Sequence, residues 1–165
     1  MPGAGKTFWG EHISAAYGYA FTDLDRYIEQ KAGKTIGAVF ADHGEDQFRE
    51  MEQKSLRELV VPDDTGRLRI IACGGGTPCY FDNLQLMLDT GAVIYLRARI
   101  DTLLLHICQD DSMRPLLEHG ALHDKLYHLM LHREPFYEQA HHIVDAENLS
   151  VATFGEIIRS CIKEH

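Results

Sequence analysis

The first seven residues carry the pattern of side chains best suited to phosphate chemistry. They read Met-Pro-Gly-Ala-Gly-Lys-Thr, and the segment from Gly5 to Thr7 matches the end of a phosphate-binding loop. Glycines let backbone N–H groups turn toward phosphate oxygens, the Lys6 ammonium can reach the outer phosphates, and the Thr7 hydroxyl can ligate Mg²⁺. The full pattern has a further glycine, separated from Gly5 by four residues, and a strand before it. We expect both to lie upstream of Met1, although the segment alone could also be an ordinary glycine-rich helix start.

Two carboxylates and a run of glycines each follow a short apolar segment. Asp23 and Asp25 come directly after one such segment, and the run Gly74 to Gly76 follows another. Ligands of parallel α/β sheets bind at the carboxyl ends of the strands. One carboxylate of the pair could face a metal and its phosphates while the other faces an acceptor hydroxyl, but such a pair is also typical of a helix cap. Three successive glycines favour a close approach of a ligand to the main chain.

Three arginines stand alone in otherwise distinctive strings. Arg49 lies on an amphipathic segment, where a surface salt bridge is the common alternative explanation; Arg114 lies in a polar segment between two predicted helices; and Arg133 precedes Glu-Pro-Phe-Tyr. Guanidinium groups pair with carboxylates as well as with phosphates. We therefore infer a substrate that carries a carboxylate in addition to the phosphates of a nucleotide.

Length and composition limit the class of protein. A chain of 165 residues fits one domain, and 45% apolar with 25% charged residues is typical of soluble globular proteins. The formal net charge of −9 disfavours nucleic acid and anionic membranes as partners. No apolar run approaches the roughly 20 residues of a membrane span. The four cysteines match neither a metal motif nor a disulfide framework, so we expect a reduced chain in the cytoplasm.

Short apolar strands alternate with helices along the chain. This alternation indicates an α/β fold with a buried parallel sheet. Strands are predicted at residues 19–22, 67–73, 92–96 and 142–145, and helices at residues 4–17, 25–31, 36–42, 45–60, 84–89, 101–108, 121–140 and 150–163.

The motifs in their order resemble the shikimate kinase family. The order is GAGKT, DLD, F-R-x-x-E, GGG, RPLL and R-x-P-x-Y, and it covers nearly the whole chain. The resemblance implies transfer of the ATP γ-phosphoryl group to the 3-hydroxyl of shikimate, with Mg²⁺, in aromatic amino-acid biosynthesis. It also implies a three-layer α/β/α fold of the P-loop kinase type, with a parallel five-stranded sheet whose first, central strand is truncated here. We expect a single monomeric domain over residues 1–165, with a substrate-binding subdomain at about residues 25–60 and a lid at about residues 109–124.

The resemblance implies a role for each motif residue. Asp25 would bind the hydroxyl to be phosphorylated and act as its base, and Arg114 would lie in the lid over the phosphates. Thr7 would ligate the Mg²⁺, and Asp23 would organise its water shell. The implied catalytic residues are Lys6, Asp25 and Arg114; the ATP-binding residues are Gly3, Ala4, Gly5, Lys6, Thr7, Phe8 and Arg114; and the shikimate-binding residues are Asp25, Arg49, Gly74, Gly75, Gly76 and Arg133.

Besides the segment expected upstream of Met1, three departures from the family pattern and two alternative functions accompany this prediction. Phe8 stands where the family often has a second hydroxyl residue. Leu103 to Cys108 lacks the Arg that relatives often place near the nucleotide, leaving His106 and Ile107 there, and the segment from Asp145 to Ser150, where relatives wrap the adenine, also lacks Arg. The alternatives are a related small-molecule kinase such as a gluconate kinase and a kinase-like binding module without catalysis. The pair Arg49 and Arg133, together with the glycine run, favours a cyclic acceptor that carries a carboxylate.

Overall fold

The computed structural model describes residues 1–62, 67–109 and 119–163. The chain divides into two compact units, one of residues 7–91 and the other of residues 1–6 and 92–165. The elements, in chain order, are α1 (Lys6–Tyr17), β1 (Ala20–Asp23), α2 (Leu24–Ala32), α3 (Ile36–Leu59), β2 (Arg69–Ala72), α4 (Asn83–Thr90), β3 (Ile94–Arg97), α5 (Ile100–Gln109), α6 (His119–Tyr137), β4 (His142–Asp145) and α7 (Val151–Lys163).

The described strands form two parallel pairs, β1 with β2 and β3 with β4. Each strand overlaps one of the four predicted from apolar runs. The predicted single five-stranded sheet is not confirmed and stays a prediction, because no described strand pairs with members of both sheets. Apolar runs locate individual strands, whereas a continuous sheet depends on hydrogen bonds between strands that are distant in sequence.

In the unit of residues 7–91, the register of the sheet decides which loops meet. Asp23 at the end of β1 lies opposite Ala72 at the end of β2. Because the two strands are parallel, the segments that follow them start at the same edge. The helices α2 and α3 pack together around an apolar core, whose fully buried members are Leu24, Ile28, Val39, Phe48, Leu56 and Leu59.

Helix α3 is broken at Gly44, which confirms the prediction of two separate helices over residues 36–42 and 45–60. Gly44 has φ of 77° and ψ of 177°, which is not a helical conformation. A positive φ of this size suits glycine because it has no Cβ to clash with the backbone. The second half of α3 therefore begins afresh at Glu45.

The unit of residues 1–6 and 92–165 holds the sheet β3–β4 with the helices α5, α6 and α7. Its buried apolar side chains come from all three helices and include Leu103, Ile107, Leu126 and Phe154. Met1 and Ala4 of the N-terminal segment are also buried. Among the residues that the structure describes, no helix is both long and apolar enough to cross a membrane.

Candidate active site

The predicted phosphate loop ends at the first residue of α1. Gly3 and Gly5 adopt left-handed backbone conformations, with φ of 75° and 78°. A Cβ on Gly3 would lie 2.8 Å from the carbonyl oxygen of Leu103, so a side chain there would clash with main chain. The Lys6 Nζ donates to the Met1 carbonyl oxygen at 2.8 Å. Left-handed turns that lead into a helix N-terminus present backbone N–H groups to an anion.

Thr7 and Asp23 form a pair of oxygen donors. The Thr7 hydroxyl donates to Asp23 Oδ2 at 2.6 Å, while Asp23 Oδ1 accepts the backbone N–H groups of Asp25 and Arg26 at 3.0 and 3.2 Å. Asp23 is thus the N-cap of α2, which was the alternative explanation for the pair Asp23 and Asp25. It is also the hydrogen-bond partner of Thr7. Mg²⁺ prefers oxygen ligands, keeps several waters and often takes only one or two carboxylates from the protein. The donor set of this pair fits Mg²⁺.

Asp25 lies beside the glycine run. A Cβ placed on Gly74 would lie 3.1 Å from Glu52 Oε1 and 3.3 Å from Asp25 Oδ1. Both carboxylates therefore pack closely against the same stretch of main chain, which the absence of a side chain on Gly74 permits. The parallel register of β1 and β2 brings the two segments together.

Arg49 is buried, so it does not form the surface salt bridge that its helical position suggested. Its side chain is 9% exposed. Nη1 donates to Glu52 Oε2 at 2.9 Å, and Nε and Nη2 donate to Glu45 Oε1 at 3.2 and 2.8 Å. Burial lowers the pKa of Arg49, but the hydrogen bonds to Glu45 and Glu52 outweigh it, and the pKa is raised overall. The guanidinium is therefore a permanent cation.

The main chain at Gly76 lies directly against this guanidinium. A Cβ there would lie 2.6 Å from Arg49 Nη1 and 2.8 Å from Nη2. The adjacent Gly75 carbonyl accepts a weak hydrogen bond from Cys79 Sγ at 4.0 Å. A planar guanidinium can bind a carboxylate with two parallel hydrogen bonds. The Asp25 carboxylate, the Arg49 cation and the glycine main chain between them can together hold a hydroxy acid.

Glu52 anchors Arg49 from the interior. It is 1% exposed and uses both oxygens, since Oε2 accepts from Arg49 and Oε1 accepts from the Thr77 hydroxyl at 2.6 Å. Thr77 is fully buried, and its carbonyl oxygen accepts from Asn83 Nδ2 at 2.9 Å. A buried ion pair is stable only when further hydrogen bonds satisfy its remaining atoms. Here Thr77 supplies that bond, which fixes the orientation of Glu52 and with it that of Arg49.

The family model for shikimate kinase matches residues 2–164 of this sequence. The chain belongs to the shikimate kinase family. The shikimate kinase of Phocaeicola vulgatus is 36% identical to it over 150 residues, which cover 89% of this chain and 83% of the relative. The shikimate kinase of Salinibacter ruber is 36% identical over 163 residues, covering 94% of this chain and 78% of the relative.

Two solved shikimate kinases have similar folds. The crystal structure from Bacteroides thetaiotaomicron superposes with a TM-score of 0.88 at 33% identity, covering 95% of this chain and 93% of that one. The structure from Acinetobacter baumannii, in complex with shikimate, has a TM-score of 0.82 at 32% identity, covering 99% of this chain and 89% of that one. The predicted family and the mixed α/β fold are thereby confirmed.

The other residues assigned through the shikimate kinase resemblance lie as follows. Arg133 is half-buried on α6, in the unit that does not contain Arg49, and a shared grip of the two on one carboxylate stays a prediction. Arg114 and most of the predicted lid lie outside the described residues. The ring of Phe8 is 53% exposed and packs against His12 at 4.0 Å between ring centroids. It offers no hydroxyl to a phosphate.

His106 occupies the position where the departure from the shikimate kinase pattern was noted. Its Nδ1 lies 2.7 Å from the carbonyl oxygen of Gly3. The imidazole therefore contacts the main chain of the phosphate loop. The position that relatives often fill with an arginine is here occupied by this histidine.

Four residues that surround Arg49 were given no role from the sequence. Glu52 is the last residue of the motif F-R-x-x-E, whereas the signals of the others are weak. Glu45 and Glu52 stand four residues before and three residues after Arg49, which is the spacing of neighbours on one helix face, but any exposed helix shows such pairs. Only the fold brings in the others, which lie about 30 residues further along. The four are Glu45, Glu52, Thr77 and Tyr80.

Proposed function

We propose that this protein transfers the γ-phosphoryl group of ATP to the 3-hydroxyl of shikimate, giving shikimate 3-phosphate and ADP in aromatic amino-acid biosynthesis. The observation that carries the proposal is the convergence of Asp25, Arg49 and the run Gly74 to Gly76 at one edge of the β1–β2 sheet. Membership of the shikimate kinase family supports it, as does the similar structure solved with shikimate. The convergence offers the carboxylate, the cation and the glycine main chain that can bind a cyclic hydroxy acid.

On the acceptor side, the reaction needs a proton acceptor and a fixed orientation of the substrate. The acceptor oxygen attacks the γ-phosphorus, the bond to the β,γ-bridging oxygen breaks, and ADP leaves. The hydroxyl proton passes to the Asp25 carboxylate, which accepts it as general base. Arg49 binds the substrate carboxylate, with Arg133 as its second partner. The backbone of the run Gly74 to Gly76, chiefly at Gly75, contacts the substrate hydroxyls.

On the nucleotide side, the reaction needs neutralisation of phosphate charge more than covalent help. The backbone of Gly3, Ala4 and Gly5 would bind the phosphates, and Lys6 would neutralise the charge on the transferring group. Phe8 would contribute only through its backbone N–H, because its side chain has no hydrogen-bonding group. We assign Arg114 to the lid over the phosphates.

Thr7 and Asp23 are the residues that would hold Mg²⁺. The hydroxyl would ligate the ion directly, and Asp23 would orient its waters while keeping α2 capped through its other oxygen. When bound, Mg²⁺ partly neutralises the negative charge on the phosphate oxygens. Because Thr7 Oγ1 already lies 2.6 Å from Asp23 Oδ2, the two oxygens need little rearrangement to serve one ion.

Several features beyond the reaction belong to the same proposal. We infer a single kinase domain that works as a monomer in the cytoplasm, with a substrate-binding subdomain at about residues 25–60 and a lid at about residues 109–124. We also infer a five-stranded parallel sheet as in the P-loop kinase fold. Light scattering coupled to size-exclusion chromatography measures the oligomeric state directly, and a mass twice that of the chain would contradict the monomer.

The experiment is a coupled assay of ADP release with shikimate and gluconate as separate acceptors. We expect turnover with shikimate alone, and NMR of the product should place the phosphorus on the 3-oxygen. Asp25→Asn should lower kcat at least about a hundredfold, as loss of a general base does, whereas Asp124→Asn, an exposed carboxylate of α6, should not change it. Turnover of gluconate would favour the related small-molecule kinase. Calorimetric binding of shikimate without ADP release would favour the binding module.

A further inference from the structure

The guanidinium of Arg49 already carries a carboxylate on one of its edges. Glu45 Oε1 accepts from Arg49 Nε at 3.2 Å and from Nη2 at 2.8 Å, and it also accepts from the Tyr80 hydroxyl at 2.8 Å. The Nε and Nη2 edge is one of the two forks with which arginine binds a carboxylate ligand. A side chain of the protein itself thus occupies a place suited to the carboxylate of a substrate.

We propose that Glu45 is an internal competitor for Arg49, displaced when the acceptor's carboxylate binds, and that the Tyr80 hydroxyl sets how firmly Glu45 is held. This inference rests on the proposed function, because it takes Arg49 as the carboxylate site. It adds a determinant of acceptor specificity: only an acceptor with a carboxylate can replace Glu45, so an acceptor without one meets an arginine that is already neutralised.

The exposure of the two carboxylates decides which of them leaves. Glu52 is 1% exposed and hydrogen-bonded to Thr77, so its removal would leave a buried charge without a partner. The Glu45 side chain is 52% exposed and can be hydrated when it leaves Arg49. Of the two carboxylates, Glu45 is therefore the one that leaves.

Electrostatic repulsion around Arg49 favours the exchange of Glu45 for the substrate carboxylate. One cation faces two carboxylates, Glu45 and Glu52, and Asp25 Oδ1 lies nearby across Gly74. A substrate carboxylate that entered with Glu45 still in place would add a further negative charge to a half-buried anionic cluster, which is unfavourable at low dielectric. If Glu45 leaves as the substrate enters, the local charge is unchanged.

Tyr80 acts on this exchange in two separable ways. Its ring covers the guanidinium, with 4.2 Å between Arg49 Cζ and the ring centroid, which orients the cation. Its hydroxyl donates to Glu45, and this bond together with burial raises the pKa of Tyr80. The hydroxyl therefore stays protonated near neutral pH and continues to hold Glu45. A phenylalanine at this position would keep the ring and lose the hydrogen bond.

The test measures KM for shikimate and kcat at saturating MgATP, together with the calorimetric Kd for shikimate alone. We expect Glu45→Gln to lower KM and Kd about two- to fivefold, the factor for loss of one partly exposed ion pair, with kcat changed less than about twofold. Tyr80→Phe should also lower both KM and Kd, but by a smaller factor, because it removes only the hydrogen bond to Glu45. Tyr80→Ala should raise both constants, because it also removes the ring that orients the guanidinium. Damage to the fold does not tighten binding, so the direction of the change separates competition from a structural effect.

Glu50→Gln is the matched control, since it removes the same charge from an exposed position on the same helix. An equal drop in KM in this control would assign the effect to the general field and overturn the proposal. A rise in KM for Glu45→Gln would also overturn it, because Glu45 would then position Arg49 for the substrate. If the unaltered protein neither binds nor phosphorylates shikimate, the proposed function itself fails, and the inference fails with it.

Discussion

Gly76→Ala is the sharpest test of the geometry around Arg49. Gly76 has φ of −85° and ψ of −21°, a conformation that alanine adopts without strain, so the effect of the substitution is purely steric. The added Cβ would lie 2.6 Å from Nη1, where ordinary contact begins at 3.4 Å, so the guanidinium must retreat by about 0.8 Å. The guanidinium has little freedom to do so. Nη1 donates to Glu52 Oε2 at 2.9 Å, and the centroid of the Tyr80 ring lies 4.2 Å from Arg49 Cζ.

The magnitude follows from overpacking and from the weakened ion pair. Forcing an extra carbon into a packed site costs about 1–3 kcal/mol, and a hydrogen bond between charged groups contributes about 1.5–3 kcal/mol. We expect a loss of about 2 kcal/mol in the free energy of unfolding, which lowers Tm by about 4–8 °C for a domain of this size. Because the displaced cation no longer meets the substrate carboxylate squarely, KM for shikimate should rise about tenfold, equivalent to 1.4 kcal/mol, while KM for ATP stays nearly constant.

The assays are thermal unfolding and steady-state kinetics, with Gly37→Ala as the control. Gly37 lies in the first turn of α3, and the nearest atom to an added Cβ is 4.0 Å away. That substitution should be neutral or slightly stabilising, since alanine is the better helix former. If Gly76→Ala leaves both Tm and the KM for shikimate unchanged, the guanidinium does not lie against the glycine run as described.

The remaining predictions concern single charged groups. Lys6→Met should lower kcat at least about a hundredfold while shikimate still binds in calorimetry, because the ammonium neutralises charge that develops in the transition state; near-normal turnover would refute the phosphate-loop assignment. Arg49→Lys keeps the charge but loses the planar fork, so KM for shikimate should rise about tenfold or more with little change for ATP; an effect on ATP alone would reassign Arg49 to the nucleotide. Asp23→Asn keeps a side chain that caps α2, so Tm should change little while the Mg²⁺ concentration for half-maximal rate rises; an unchanged Mg²⁺ dependence would remove Asp23 from the metal site.

The sequence alone was sufficient to locate the elements and the chemistry-bearing motifs. Apolar runs placed all four described strands, and the two helices predicted over residues 36–42 and 45–60 are the two halves of α3, which the structure separates at Gly44. These predictions succeed because strand and helix periodicity, and the φ preferences of glycine, act over a few neighbouring residues. The order of the motifs was also sufficient to identify the family. Each motif is short and unspecific by itself, but their order along the chain is specific.

The tertiary structure decided what each charged residue touches. Helical periodicity allowed Arg49 to be a surface cation, and only the packing of the glycine run, Glu52 and Tyr80 against it makes it a buried one. Asp23 was expected to be either a cap or a site residue, and it is a cap that also bonds Thr7, because its two oxygens point to different elements. Apart from Glu52, which is three residues from Arg49 on the same helix, these contacts join segments some 16 to 30 residues apart. No local pattern encodes contacts over that distance, so these partners follow from the fold.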